Sequence, residues 1–128
     1  FRPNIMTKKQ KAIKLVRIAV LEEQDYKCAR SGETRGVLGD GIEVHHIGGR
    51  NNTTLYTTLG QIGLTDEHHR GNDDAPHINQ QKFLEWLQTN YPIKYRYYME
   101  NRNKIVADRD VDLDAIIEAM EAQVNVVV

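Results

Sequence analysis

The chain has 128 residues, 40% of them apolar and 27% charged, with a net charge of −1. Those proportions exclude a wholly disordered chain, and no apolar run approaches the roughly 18 residues that a membrane span needs. The single cysteine, Cys28, excludes an internal disulfide framework and an all-cysteine metal site; with no signal-peptide pattern behind the basic N-terminus, a reducing, cytoplasmic setting is expected.

Charge is unevenly placed. Residues 1–21 carry Arg2, Lys8, Lys9, Lys11, Lys14 and Arg17 without an acid, whereas residues 107–128 carry Asp108, Asp110, Asp112, Asp114, Glu118 and Glu121 against Arg109 alone. The asymmetry reads either as a DNA-facing side opposed to a repelling side or as two solvated helix faces.

Taken in order, Thr7 to about Gln24 is predicted helical, with Ile13, Leu15, Val16, Ala19, Val20 and Leu21 gathered on one side. Ser31 to Gly41 is turn-rich through Gly32, Gly36, Gly39 and Gly41. Ile42 to Ile47 alternates as a strand and Gly48-Gly49 ends it. Asn51 to Gly60, polar and threonine-rich, reads as loop. A short helix is predicted over Asp66–Arg70, with Thr65 as N-cap and Gly71 as C-cap. A second opens at Pro76, with Asp73 and Asp74 as caps, and runs to about Asn90, burying Phe83, Leu84 and Leu87 until Pro92 ends it. Residues 93–106 are basic and aromatic. Lys94-Tyr95-Arg96-Tyr97-Tyr98 interleaves the two types, as backbone-plus-stacking nucleic-acid surfaces do and as packed tyrosines also do. Leu113 to about Glu121 reads as a short amphipathic helix, and Val124 to Val128 forms an apolar end: either a pairing strand in an oligomer or an unordered tail. The division expected is a basic N-terminal helix over 1–25, a core over 26–91 and a basic, aromatic and acidic segment over 92–128.

All five histidines, His45, His46, His68, His69 and His77, fall within residues 45–77. Histidine is the commonest metal ligand and the readiest general base near neutral pH, so such clustering is what a metal site on a compact scaffold produces. Neighbours on a strand face opposite ways, so His45 and His46 share a site only where the strand ends, as Gly48-Gly49 allows. On a helix His68 and His69 diverge, and one of them points at a common ion.

The run Val44-His45-His46-Ile47-Gly48-Gly49-Arg50, then Gly63-Leu64-Thr65-Asp66-Glu67-His68-His69-Arg70, then His77, resembles the HNH endonuclease superfamily, closest to small phage-type members such as the RecA-dependent recombination-enhancement nucleases and the phage HNHc nucleases. The resemblance covers about residues 26–90. It implies an α+β fold: a small ββα-metal core with a preceding N-terminal helix and C-terminal helices. It implies metal ligation by His45 and His69 with either His77 or Asp73, and a general base at His46. Cys28-Ala29-Arg30-Ser31-Gly32 matches the family's cysteine knuckle. Where many relatives hold a structural zinc, this chain has Cys28, Ser31, Thr65 and His68. Serine and threonine are poor zinc ligands, so Cys28 and His68 are expected to be structural, with that zinc absent. The family's central asparagine has no clean counterpart; Gly60-Gln61 sits near its place and Asn51 and Asn52 come earlier.

The implied function is a metal-dependent DNA endonuclease or nickase of weak base specificity. It would use one divalent cation, Mg²⁺ or Mn²⁺, with Zn²⁺ or Ni²⁺ also suited to imidazole ligands, in a setting of phage DNA recombination or processing and a possible recombination-protein partner. Arg50 and Arg70 flank the site as candidate phosphate contacts. The competing expectations are an inactive HNH-fold DNA-binding or recombination accessory protein, and a metal-binding module or toxin of another class, which would show no salt-dependent DNA affinity.

Overall fold

The computed structural model describes residues 5–35 and 41–124. Arg2 of the basic N-terminus, Gly36 and Gly39 of the turn-rich run and residues 125–128 of the apolar end lie outside the described residues. The described chain is α+β. Helix α1 spans Lys8–Glu23, strands β1 and β2 span Glu43–His46 and Gln61–Leu64, and helices α2, α3 and α4 span Gln80–Asn90, Pro92–Asn101 and Leu113–Gln123. Short 3₁₀ turns at Thr58–Gly60 and Asp108–Asp110 and a π-turn at Glu67–Gly71 fill the connections. No helix among the described residues is long and apolar enough to cross a membrane.

Helix α1 begins where the sequence places it. Thr7 Oγ1 accepts from Gln10 N–H while Gln10 Oε1 accepts from Thr7 N–H, a reciprocal capping box. Its buried stripe is Ala12, Leu15, Val16, Ala19, Val20 and Leu21, and Ile13 is only partly covered. Against α1 lies α4. Lys8 meets Asp114 at 3.0 Å and Lys11 meets Glu121 at 3.6 Å. The basic start and the acidic end are therefore partly spent on each other, an arrangement that neither reading of the charge asymmetry contained.

Strands β1 and β2 form an antiparallel pair in which Glu43 faces Leu64 and His46 faces Gln61. β1 is shorter than the 42–47 run, whose two end residues are buried in the core instead. β2 falls after the 51–60 stretch and is buried throughout. Its outer edge is not left open: the Gln24 side-chain amide donates to Gly63 O at 2.9 Å and its Oε1 accepts from Gly63 N–H at 2.9 Å. A Cβ at Gly63 would meet Ile42 at 2.9 Å and the Gln24 amide at 3.0 Å, so only glycine admits this clamp. The core under the pair is Leu21, Cys28, Ile42, Ile47, Ile62, Leu64, Phe83 and Leu87.

Two boundaries differ from the sequence reading. The helix expected from Pro76 starts at Gln80, capped by Asn79 Oδ1, which accepts from Lys82 N–H. Asp74 is drawn away from a capping role by Arg30, at 2.6 Å, and Asp73 does not cap the helix either. Residues 93–106 are largely helix α3, because Pro92 both stops α2 and supplies a preorganised first residue for the next helix.

Candidate metal centre

Three elements aim imidazoles at one point. β1 carries His45, the π-turn carries His69, and the turn before α2 carries His77, folded back because His77 N–H donates to His69 O at 3.3 Å. His45 Nδ1 lies 3.2 Å from His69 Nε2, and His77 Nε2 lies 3.0 Å from the same atom. The three ring nitrogens all fall within 4.8 Å of one another, close enough to bind one metal ion. His69 is buried and His77 exposed. Asp73, the alternative ligand, is not part of the group.

The π-turn decides which histidine enters. Asn72 N–H reaches back five residues to Glu67 O at 2.7 Å, a wide turn of the kind that recurs at functional sites. His69 turns inward. His68 stays half-exposed, with the Asn72 amide 3.4 Å from its Nδ1. The expected caps shift by one residue: Asp66 holds the N-cap position without a side-chain cap bond, and Asn72 follows Gly71. Thr65 is occupied elsewhere, its hydroxyl donating to Cys28 Sγ at 3.7 Å.

The donor set fits a cation. His69 Nδ1 is 2.6 Å from Glu43 Oε1; a carboxylate only accepts, so that nitrogen carries the hydrogen and Nε2 presents a single lone pair. Both His45 Nδ1 and His77 Nε2 face this one lone pair. Hydrogen bonding serves one of them well, whereas a cation serves all three. Metal–imidazole bonds of about 2.0–2.1 Å put neighbouring ligand nitrogens about 3 Å apart, close to the spacing of the two pairs that include His69, 3.2 and 3.0 Å. His45 Nε2 is buried with no hydrogen-bond partner among the described residues, and the ring stands edge-on to Phe83. Burial, reinforced by His69, His77 and His46, pushes the His45 imidazole down to about 3. Burial likewise lowers His69, against the opposing hydrogen bond that it donates to Glu43. Both rings are thus held in the neutral form that ligation requires.

His46, the last residue of β1, lines the same cleft as His45 and makes no side-chain hydrogen bond among the described residues. Burial first, then Arg50 and His69, lower its pKa. Beyond it the chain turns sharply through Gly48 and Gly49, with φ of +83° and +104°. A Cβ on Gly48 would meet the Tyr98 ring at 2.7 Å, so this turn admits α3 closely. A cleft of about 520 Å³ results, lined by His45, His46, Arg50, His69, His77 and Tyr98 among others. A cavity of about 560 Å³ lies away from the histidines, between Glu23, Cys28, Leu59, Tyr91 and Ile93.

The flanking candidates separate. Arg50 is exposed on the rim of the cleft. Arg70 is engaged instead: its Nε donates to Glu43 Oε1 at 3.1 Å. The interleaved 94–98 segment is mostly turned inward. Lys94, buried, donates to Thr58 O at 2.8 Å and Gln61 O at 2.7 Å and meets Glu23 at 3.7 Å. Tyr97 OH donates to Thr53 O at 2.5 Å. Arg96 is the exposed cation of the run.

At the cysteine knuckle, Cys28 is 2% exposed and its sulfur accepts from Ser31 N–H at 3.5 Å and Thr65 N–H at 3.3 Å. Burial pushes the thiol up, and the hydrogen bonds from Ser31, Thr65 and Arg30 outweigh it to give a lowered pKa. One sulfur amid hydroxyl and amide donors is not a tetrahedral zinc set.

One residue beside the histidines escaped the sequence reading. Glu43 has a signal in hindsight, since a residue two before His45 on a strand shares its face. Buried Gln61 donates its amide to Thr54 O at 2.8 Å and Leu55 O at 3.1 Å, strapping the intervening loop to β2. No family model matches the chain, and no curated protein or solved structure is significantly similar to it.

Proposed function

We infer that this protein is a metal-dependent DNA endonuclease or nickase of the HNH type, hydrolysing phosphodiester bonds with His46 as general base. The observation that carries the reading is the convergence of His45, His69 and His77 at one point in a cleft that also presents His46 with no hydrogen-bond partner among the described residues. An antiparallel pair followed by a turn that delivers His69 suits a ββα-metal core. Gln61, near the place of the family's asparagine, straps the loop at Thr54 and Leu55 to β2.

His45, His69 and His77 would hold one divalent cation, which when bound relieves charge on the scissile phosphate and on the departing oxygen. Three protein ligands leave room for a phosphate oxygen. The neutral His46 ring takes the proton from the attacking water; its lowered pKa keeps it unprotonated at neutral pH and able to accept. Arg50 on the rim neutralises the approaching backbone.

Nicking of supercoiled plasmid in Mg²⁺, Mn²⁺ or EDTA, with His46→Ala purified alongside, tests this. Cleavage that needs metal and disappears in His46→Ala is the expected result. No cleavage of duplex, single-stranded or branched DNA with any metal overturns it.

A further inference from the structure

We propose that Glu43 is the positioning residue of the metal centre, acting through His69, and that Arg70 serves by fixing Glu43 rather than by holding DNA. The proposal rests on the ligand set assigned above. Glu43 Oε1 is shared by two donors, His69 Nδ1 at 2.6 Å and Arg70 Nε at 3.1 Å. Glu43 and His45 lie two apart on β1 and so on one face, while His69 and Arg70 are consecutive in the π-turn. One carboxylate thereby ties the strand that carries one ligand to the turn that carries another.

The consequence is chemical as well as mechanical. A neutral imidazole bears its hydrogen on either nitrogen, and only the form with hydrogen on Nδ1 leaves the Nε2 lone pair facing His45 and His77. The carboxylate selects that form and sets the plane of the ring. Partners of this kind, one step removed from the ion, are worth about 10–100-fold in metal affinity. Arg70 limits where the Glu43 carboxylate can swing, and its other pairing, with Asp66 at 3.9 Å, is looser.

The test uses the full chain, metal-free and then titrated with Zn²⁺ or Mn²⁺ by calorimetry. Long-range ¹H–¹⁵N correlation reads the tautomer of His69 directly. In the metal-free protein His69 is expected to carry hydrogen on Nδ1; hydrogen on Nε2 overturns the proposal without need of any variant. Glu43→Ala is expected to release the tautomer preference and weaken cation binding by about 10–100-fold. Glu43→Gln, whose carbonyl oxygen still accepts from Nδ1, is expected to keep the tautomer and recover most of the affinity. Arg70→Ala is expected to weaken the cation by less than Glu43→Ala does and to keep the tautomer. Wild-type affinity in Glu43→Ala, or a Gln variant as impaired as the Ala variant, contradicts it. Because no readout involves DNA, a protein that shows this dependence yet fails to nick plasmid retains the metal-centre assignment and loses only the nuclease reading.

Discussion

At the Cys28 knuckle the sulfur accepts from two N–H groups and one O–H of the chain itself, from Ser31 and Thr65. At the histidines the balance runs the other way: two ring nitrogens face the single lone pair of His69 Nε2, and a fourth ring, His46, has no hydrogen-bond partner among the described residues. Both places gather atoms that metals favour. They differ in whether those atoms are already committed. A committed cluster serves stability, and an uncommitted one has capacity left for a cation, a proton or a substrate.

The comparison can be broken from the chemical side first. His46→Ala should reduce nicking by about 10²–10⁴-fold while leaving cation affinity unchanged, as plasmid assay and calorimetry on one preparation would show. Replacing His69 with Ala should abolish measurable Zn²⁺ binding, because it removes the nitrogen that both neighbours face. At the knuckle the pattern should invert. Cys28→Ala should leave cation binding intact and cost about 1–3 kcal/mol of stability, since it strands the buried Thr65 N–H; urea unfolding measures it.

The pH dependence sharpens the same contrast. The folded chain keeps His45 neutral down to about 3, surrounded by His69, His77, His46 and, through His69, Glu43. The unfolded chain takes up that proton near 6.5. Stability is therefore full above about pH 6.5 and falls by about 1.4 kcal/mol per pH unit as the pH drops below it. Urea titrations in EDTA between pH 7 and 5 should show that slope, flattened in His45→Phe. The smallest effect belongs to the helix pair: Asp114→Asn should cost about 0.2–1 kcal/mol, because the Lys8 contact is exposed on both sides.

Much of this was legible because it is local or compositional. The capping box of α1 is written in Thr7 and Gln10, and the histidines stand out as a cluster. What stayed hidden depends on tertiary partners. β2 is only four residues long, too short for the alternation of Ile62 and Leu64 to stand out, and the burial of Gln61 and Gly63 depends on the loop carbonyls and the Gln24 clamp. Lys94 reads as a surface cation until the carbonyls of Thr58 and Gln61 are brought to it. The choice between His77 and Asp73 turned on a backbone hydrogen bond across eight residues, which spacing alone does not encode. The start of α2 slipped to Gln80 because Arg30, 44 residues before Asp74, competes for its carboxylate.

The most direct test of the central claim, that His45, His69 and His77 hold a cation while His46 works beside it, is a paired measurement on His45→Ala and His46→Ala. Each would be titrated with Zn²⁺ or Mn²⁺ and then assayed for nicking of the same plasmid. His46→Ala should bind the cation as the wild type does and fail to cut, and His45→Ala should do neither. Equal loss of cation binding in both variants, or cutting by His46→Ala, would contradict the division of labour.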